Sequence, residues 1–280
     1  MDFKQFSNLI MIEQTLFALP FALLGVLFAG GGTFSIWILA IIAVAAARTA
    51  GMSFNRVIDA NIDAKNPRTK DRLIPKGDVA PGVVWITAIL SSLILILVSW
   101  MLNDLCFYLS FPAVGLLFTY SYFKRFSASS HFYLGVVEAA APIGGYLAVT
   151  GCFSVMPFIL GAVILFWIAG LDIVYALQDE TFDRNENLKS IPAKYGRDKA
   201  IVISSAAYVI SLSCLSLAGL IANMGFFFWT GVILISGIFL YQQKLARHDT
   251  ITEVVKPFFK VNMYVSPILF FSTFLDVIFG

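Results

Sequence analysis

Apolar runs of membrane-spanning length follow one another through nearly the whole chain, and this constrains the fold more than any other feature. A helix that crosses the hydrocarbon core needs about 20 mostly apolar residues. Nine such stretches can be read, at roughly 9–30, 33–54, 81–102, 104–123, 132–151, 154–178, 200–222, 224–243 and 260–279. They use up most of the 280 residues and leave no length for a soluble domain. With 59% hydrophobic and only 13% charged residues, the chain lies far outside soluble and disordered compositions. The first stretch is too long for a signal-peptide core and has no small-residue cleavage site, so it reads as a helix. The expected fold is therefore all-α: one domain, residues 1–280, forming an integral membrane bundle of nine transmembrane helices. Cys106, Cys152 and Cys214 are an odd number of thiols without pair spacing, which excludes a disulfide framework.

Charge placement tests the count. All 19 basic residues except Arg48 fall before the first stretch or in the connections 55–80, 124–131, 179–199 and 244–260. The connections near 31, 103, 152 and 223 have none. Basic residues occupy every second connection, as expected when they stay on the cytoplasmic side. This predicts a cytoplasmic N-terminus and an external C-terminus. The two long cytoplasmic connections are charged and contain Pro, the type of loop on which function tends to sit.

Those two connections each begin with an acidic motif. Asn55, Asp59 and Asp63 are spaced four apart, and so are Tyr175, Asp179 and Asp183. A step of four turns about 40° around a helix, so each trio shares one face. Both motifs sit where an apolar stretch meets the cytoplasm, so the two faces can converge. Four carboxylates brought together repel unless a cation lies between them. Mg²⁺ takes oxygen ligands, one or two carboxylates at a time, and completes its shell with substrate phosphate. Two motifs thus suggest two Mg²⁺ ions gripping a diphosphate. Asn55, Asp59, Asp63, Asp179 and Asp183 would be the metal ligands, and Arg68, Lys70, Arg72, Lys124, Arg125 and Lys189 could neutralise the remaining phosphate charge. One D-x₃-D could be a solvated helix end. Two of them on the basic side, with Asn and Tyr at matching offsets, are harder to explain that way.

At these residues the sequence resembles the UbiA superfamily of intramembrane prenyltransferases. Asn55-x₃-Asp59-x₃-Asp63 is similar to the family's first motif and Tyr175-x₃-Asp179-x₃-Asp183 to its second. Arg68-Thr69-x₂-Arg72-x₂-Pro75-x-Gly77 and Tyr120-x₃-Lys124-Arg125 resemble the stretches between them. The resemblance implies a polyprenyl diphosphate donor with its tail in the membrane. Its allylic C–O bond ionises on Mg²⁺, and the carbocation alkylates an aromatic acceptor. It also implies a place in the prokaryotic inner membrane, with the lipid bilayer as surroundings and no nucleic acid or obligatory protein partner. Two quinone-pathway branches are close. One prenylates 4-hydroxybenzoate for ubiquinone. The other serves the futalosine route to menaquinone, with an acceptor of the 1,4-dihydroxy-6-naphthoate type. The stretches 141–151 and 172–192 resemble the second more, although Lys189 and Glu138 depart from its pattern. Haem O synthase, chlorophyll synthase and dihydroxynaphthoate prenyltransferases share the motifs.

Readings of another class are an ion-coupled transporter and a CDP-alcohol phosphotransferase. Transporters often carry internal repeats and interrupted helices at mid-membrane, whereas the acids here cluster at one surface. The second has a D-G-x₂-A-R run before its acidic pair, which is missing before Asp59.

Arg48 is the one basic residue inside a predicted span. It lies seven residues before Asn55, within about 20° on the helical wheel, so it points with the motif face two turns deeper. A charge at that depth is costly and tends to be functional. It either binds the carboxylate of the aromatic acceptor or pairs with Glu138 or Asp172. Asp172 is one turn before Tyr175 and could orient the acceptor hydroxyl. Tyr120 and Tyr175 could line the path of a carbocation, though packing explains most aromatics in a chain with 27 Phe. Glu13 and Glu138 lie in apolar spans and are expected to pair internally. His131 and His248 are far apart in sequence and suggest no metal site or triad.

Overall fold

The computed structural model of the chain describes residues 2–248 and 251–280, and of residues 13–17, 251, 252 and 254 only the backbone. Glu13 therefore lies outside the described side chains. Every regular element among the described residues is helical. The long helices are α3 (Phe34–Ile58), α5 (Pro81–Leu102), α6 (Asp104–Phe123), α7 (Ser130–Thr150), α8 (Val155–Ala176), α11 (Arg197–Ile221) and α12 (Phe226–Ala246). Shorter ones are α1 (Phe3–Ile10), α2 (Ile12–Phe28), α4 (Ala60–Lys65), α9 (Glu180–Asn185), α10 (Ile191–Tyr195), α13 (Ile251–Asn262) and α14 (Val265–Phe279).

Among the described residues eight stretches are long and apolar enough to cross a membrane, with a ninth, shorter apolar helix at Ala18–Phe28. Eight of the nine predicted spans are thus matched by stretches of full spanning length, and the remaining one, the first, falls on α2. The first predicted span, 9–30, is split because Met11 adopts a left-handed conformation with φ 50°. This detaches α1, whose Leu9 and Ile10 pack on Val79 and Val84 at the start of α5. A capping box between Asp2 and Gln5 starts α1. The last predicted span, 260–279, instead reaches back to Val255 and is interrupted between α13 and α14. At that interruption Trp167 Nε1 and Gln242 Nε2 both donate to Asn262 Oδ1, each over 3.1 Å. Side chains from two neighbouring helices thus tie down the last residue of α13.

The outer surface is apolar. Ile86, Ile89, Leu90, Leu93 and Leu97 of α5 are all exposed, far more than a soluble protein tolerates in one patch. Inside, α8 is the central helix, packed against α7 and α11. Around it Phe21 meets Trp167 edge-on at 5.1 Å, and Tyr208 stacks on Phe239 at 4.2 Å. Small residues let α2 and α7 approach closely. A Cβ added at Gly145 would stand 2.0 Å from the Ala22 carbonyl oxygen, and one at Gly25 would stand 2.1 Å from that of Pro142.

At the end of the bundle away from the acidic motifs, Asp276 of α14 caps another helix. Its carboxylate accepts from the backbone N–H of Gly225 (2.6 Å), Phe227 (3.0 Å) and Phe228 (3.2 Å) at the start of α12. This satisfies donors that α12 cannot satisfy itself. Asp276→Ala is expected to destabilise the bundle by about 1–3 kcal/mol, the penalty for orphaned buried donors. A lower melting temperature in detergent would show it, and an unchanged one would contradict it.

Candidate functional site

Both acidic motifs form at helix ends that change pitch without losing direction. Asp59 follows the last residue of α3, yet its N–H still donates to Asn55 O (3.0 Å), and Asp63 N–H donates to Asp59 O (2.8 Å). Helical bonding therefore runs through the α3–α4 junction and keeps Asn55, Asp59 and Asp63 on one face. On the other side α8 passes into a single 3₁₀ turn, Leu177–Asp179, and then α9. Asp179 ends that turn and Asp183 follows within α9.

The two motifs and the loop after α4 bound one end of a cavity of about 1360 Å³. Asn55, Asp59, Asp63, Asp179, Asp183, Tyr175, Arg68, Arg72 and Lys124 line this polar end. From there the cavity runs between helices past Arg48, Tyr120, Glu138 and Asp172 to apolar walls at Leu102, Leu109 and Leu147. Its two ends thus differ in chemistry, one charged and one oily.

Three of the four motif acids are each clasped by a cation. Asp59 is wholly buried (0% exposed), and accepts from Lys124 Nζ at 2.7 Å and Asn55 Nδ2 at 2.9 Å. Asp63, 4% exposed, takes both oxygens to Arg72 Nη1 at 2.8 and 2.7 Å. Asp179 accepts from Arg68 Nε and Nη2, the latter at 2.5 Å, and from Asn66 Nδ2 at 3.0 Å. Arg68 also donates to Tyr175 OH at 2.6 Å and lies over that ring, 5.0 Å from its centroid. Burial works to lower the Arg68 pKa, but its hydrogen bonds to Asp179 and the nearby charges outweigh this and raise it above the ordinary value. Arg68 is therefore a permanent cation at the polar end. Asp183 is hydrogen-bonded by Ser190 instead of a cation.

Of the six cations expected to meet phosphate, Arg68, Arg72 and Lys124 line the cavity and Lys70, Arg125 and Lys189 do not. Arg125 sits behind Asp59. Its Nη2 is 3.4 Å from Asp59 Oδ1 and donates to Ile58 O at 2.8 Å, and its guanidinium covers the Tyr122 ring. Arg48 and Glu138, from α3 and α7, form a salt bridge of 2.6 Å inside the cavity. Asp172 pairs with His131 rather than Arg48, with Oδ2 to Nδ1 at 2.7 Å.

Sequence reasoning missed three residues here. His131 lines the cavity and links two segments: its Nε2 accepts from Ile191 N–H at 3.2 Å. Its Nδ1 faces Asp172 and its Nε2 faces Ile191, so both ring nitrogens are engaged and the ring orientation is fixed. Its distance in sequence from other His and Cys residues gave no signal. Asn66, buried against Asp179, and Arg56, buried on the cavity wall, looked like ordinary loop and topology residues. Asn66 could have been noticed as the one amide between the two blocks of matched motif.

The donor set fits Mg²⁺ that arrives with phosphate. The acids at the polar end offer only oxygen, with no thiolate or imidazole on the motif faces. Among the described residues no three His, Cys, Asp or Glu side chains are grouped as a finished cage. Asn55, Asp59, Asp63, Asp179 and Asp183, the five residues expected as ligands, all line the polar end of the cavity. One or two carboxylates with phosphate oxygens completing the shell is the usual Mg²⁺ arrangement.

A sequence model described as the UbiA prenyltransferase family matches residues 18–265. A 4-hydroxybenzoate octaprenyltransferase of Shewanella pealeana is 29% identical over 265 residues, covering 94% of this chain and 91% of its own length. That of Shewanella loihica is 31% identical over 226 residues, covering 80% of this chain and 78% of its own length. Among solved structures, the apo form of a UbiA homolog from Aeropyrum pernix K1 superposes with a TM-score of 0.88 at 30% identity, over 95% of this chain and 98% of that one. A UbiA homolog from Archaeoglobus fulgidus bound to GPP and Mg²⁺ shares the fold, with a TM-score of 0.71 at 18% identity over 96% of this chain and 99% of that one.

Proposed function

Because the chain belongs to the UbiA prenyltransferase family, we propose that it transfers a polyprenyl group from its diphosphate to a hydroxylated aromatic acid, as a step in quinone synthesis. The acceptor is of the 4-hydroxybenzoate or 1,4-dihydroxy-6-naphthoate type. The carrying observation is the cavity itself: three acid–cation clasps and Asp183 at one end, oily walls at the other. That polarity matches a substrate with a charged head and an apolar tail.

Mg²⁺ held by Asp59 and Asp63 on one side and Asp179 and Asp183 on the other would supply Lewis-acid neutralisation of the diphosphate. The protein's own part is an exchange of partners. Lys124, Arg72 and Arg68 turn from carboxylate to phosphate oxygens, so the head enters a site whose charges are already positioned. The rings of Tyr175 and Tyr120 line the route from head to tail, where aromatic faces favour developing positive charge. The apolar walls keep water from the reacting carbon. Asp172, its carboxylate fixed by His131, hydrogen-bonds the acceptor hydroxyl and keeps the ring electron-rich. The C–O bond of the donor breaks with its electron pair going to diphosphate. A ring carbon takes the prenyl group and gives up its proton to the released diphosphate. The polar end and the N-terminus face the cytoplasm and the C-terminus the outside in this reading, which the placement of the basic connections supports.

Purified protein given geranyl diphosphate, Mg²⁺ and each of the two acceptors in parallel is expected to form prenylated product from one of them, and to lose this activity completely with EDTA. Folded protein that forms no product and releases no diphosphate would overturn the reading. Ion flux in liposomes would then favour a transporter.

A further inference from the structure

The inner end of the cavity holds a half-buried salt bridge whose negative partner belongs to the protein. Arg48 Nη1 and Glu138 Oε1 are 2.6 Å apart, and their side chains are 18% and 13% exposed. Both line the cavity. Arg48 lies two helical turns below Asn55 on the same face of α3, about 10 Å along the axis. One aromatic ring fits between that depth and the polar end. Arg48 is thus at the right distance to hold the far side of an acceptor whose reacting carbon faces the diphosphate.

Glu138 stands in the position such an acceptor's carboxylate would need. An acceptor acid brings a second carboxylate against the guanidinium that Glu138 already holds, and low dielectric makes the repulsion between the two carboxylates costly. An acceptor acid must therefore displace Glu138 or bind beside it at a penalty. An uncharged acceptor faces neither requirement. We infer that Glu138 is the acceptor-selectivity residue: an internal competitor that occupies Arg48 where an aromatic carboxylate would bind and weakens acids relative to uncharged rings of the same shape. The inference rests on the functional reading above, since it concerns the acceptor of that reaction. The same logic governs the polar end, where each clasped cation is held by an acid of the chain until phosphate arrives.

Affinity measurements without donor test the assignment. The probes are 4-hydroxybenzoate against 4-hydroxybenzamide, and 1,4-dihydroxy-6-naphthoate against its amide. Binding to detergent-solubilised wild type, Glu138→Gln and Glu138→Leu is read by calorimetry. An intramolecular competitor acts at an effective concentration on the order of millimolar or more, so both variants are expected to bind the acid about tenfold tighter. The amide should change by less than about threefold. Glu138→Gln keeps the shape and a hydrogen bond to Arg48, so a melting temperature near wild type separates the effect from misfolding. Acids that gain less than about threefold, or amides that gain in step, overturn the assignment. So does the absence of acid binding to every variant. Product formation with the same acceptors is followed in parallel. Normal product with unchanged acid affinity would sink only the role of Glu138. No diphosphate release in any variant would sink the prenyltransferase reading itself.

Discussion

Asp59→Asn is expected to lower prenyl transfer by a factor on the order of 10³ while leaving the bundle folded. Asp59 is the most enclosed of the four motif acids, 0% exposed. Its carboxylate is where Lys124, Arg125 and Asn55 meet. Asparagine keeps the size but removes the charge that a diphosphate-bound cation would need. Removing one partner of a buried ion pair usually costs folding stability as well. Here the partners left behind, Lys124 and Arg125, are 33% and 38% exposed and can turn to water, so the penalty falls mainly on the chemistry. Steady-state transfer assays with a parallel melting curve separate the two effects. Activity within tenfold of wild type would remove Asp59 from the reacting end. A collapsed melting curve would make it structural.

Gly145→Val is expected to have the largest effect on stability, about 3 kcal/mol or more. At this position a Cβ would stand 2.0 Å from the carbonyl oxygen of Ala22 and 2.9 Å from its carbon, both backbone atoms. Backbone cannot swing aside as a side chain does, so α2 and α7 would have to separate. In a bilayer such close packing is a main source of helix association. The adjacent residue is the control. A Cβ at Gly144 meets nothing within 4 Å, so Gly144→Ala should melt with the wild type. Equal behaviour of the two variants would mean that α2 and α7 do not cross this closely.

The acidic faces were legible because they obey a local rule. Four-residue spacing survives the change of pitch at Asp59, since the hydrogen bonds run on through it. The helix count was nearly legible for the same reason, as apolar length is a local property. What escaped depends on tertiary neighbours. Nothing around Met11 marks it for a left-handed conformation, yet that one residue separates α1 from α2. The side chains that bond Asn262 beside the interruption, Trp167 and Gln242, come from other helices. His131 had no sequence partner because its partners, Asp172 and the backbone of Ile191, come from other elements. Of the two pairings considered for Arg48, Glu138 was chosen by the facing of α3 and α7. Arg125 followed the motif in sequence but lies behind Asp59 instead of on the cavity wall, in the turn after α6.

The clasp between Asp276 and the start of α12 also sets a timetable for synthesis. The N–H groups of Gly225, Phe227 and Phe228 are made about 50 residues before the carboxylate that receives them. At ribosomal rates of about 5–20 residues per second, that is a wait of several seconds. During this interval the nascent α12 must have its leading end satisfied by water or lipid head groups, and it can still shift along the bilayer normal. A chain stopped short of position 276 would never leave that state, so its defect would arise in biogenesis, far from the acidic end.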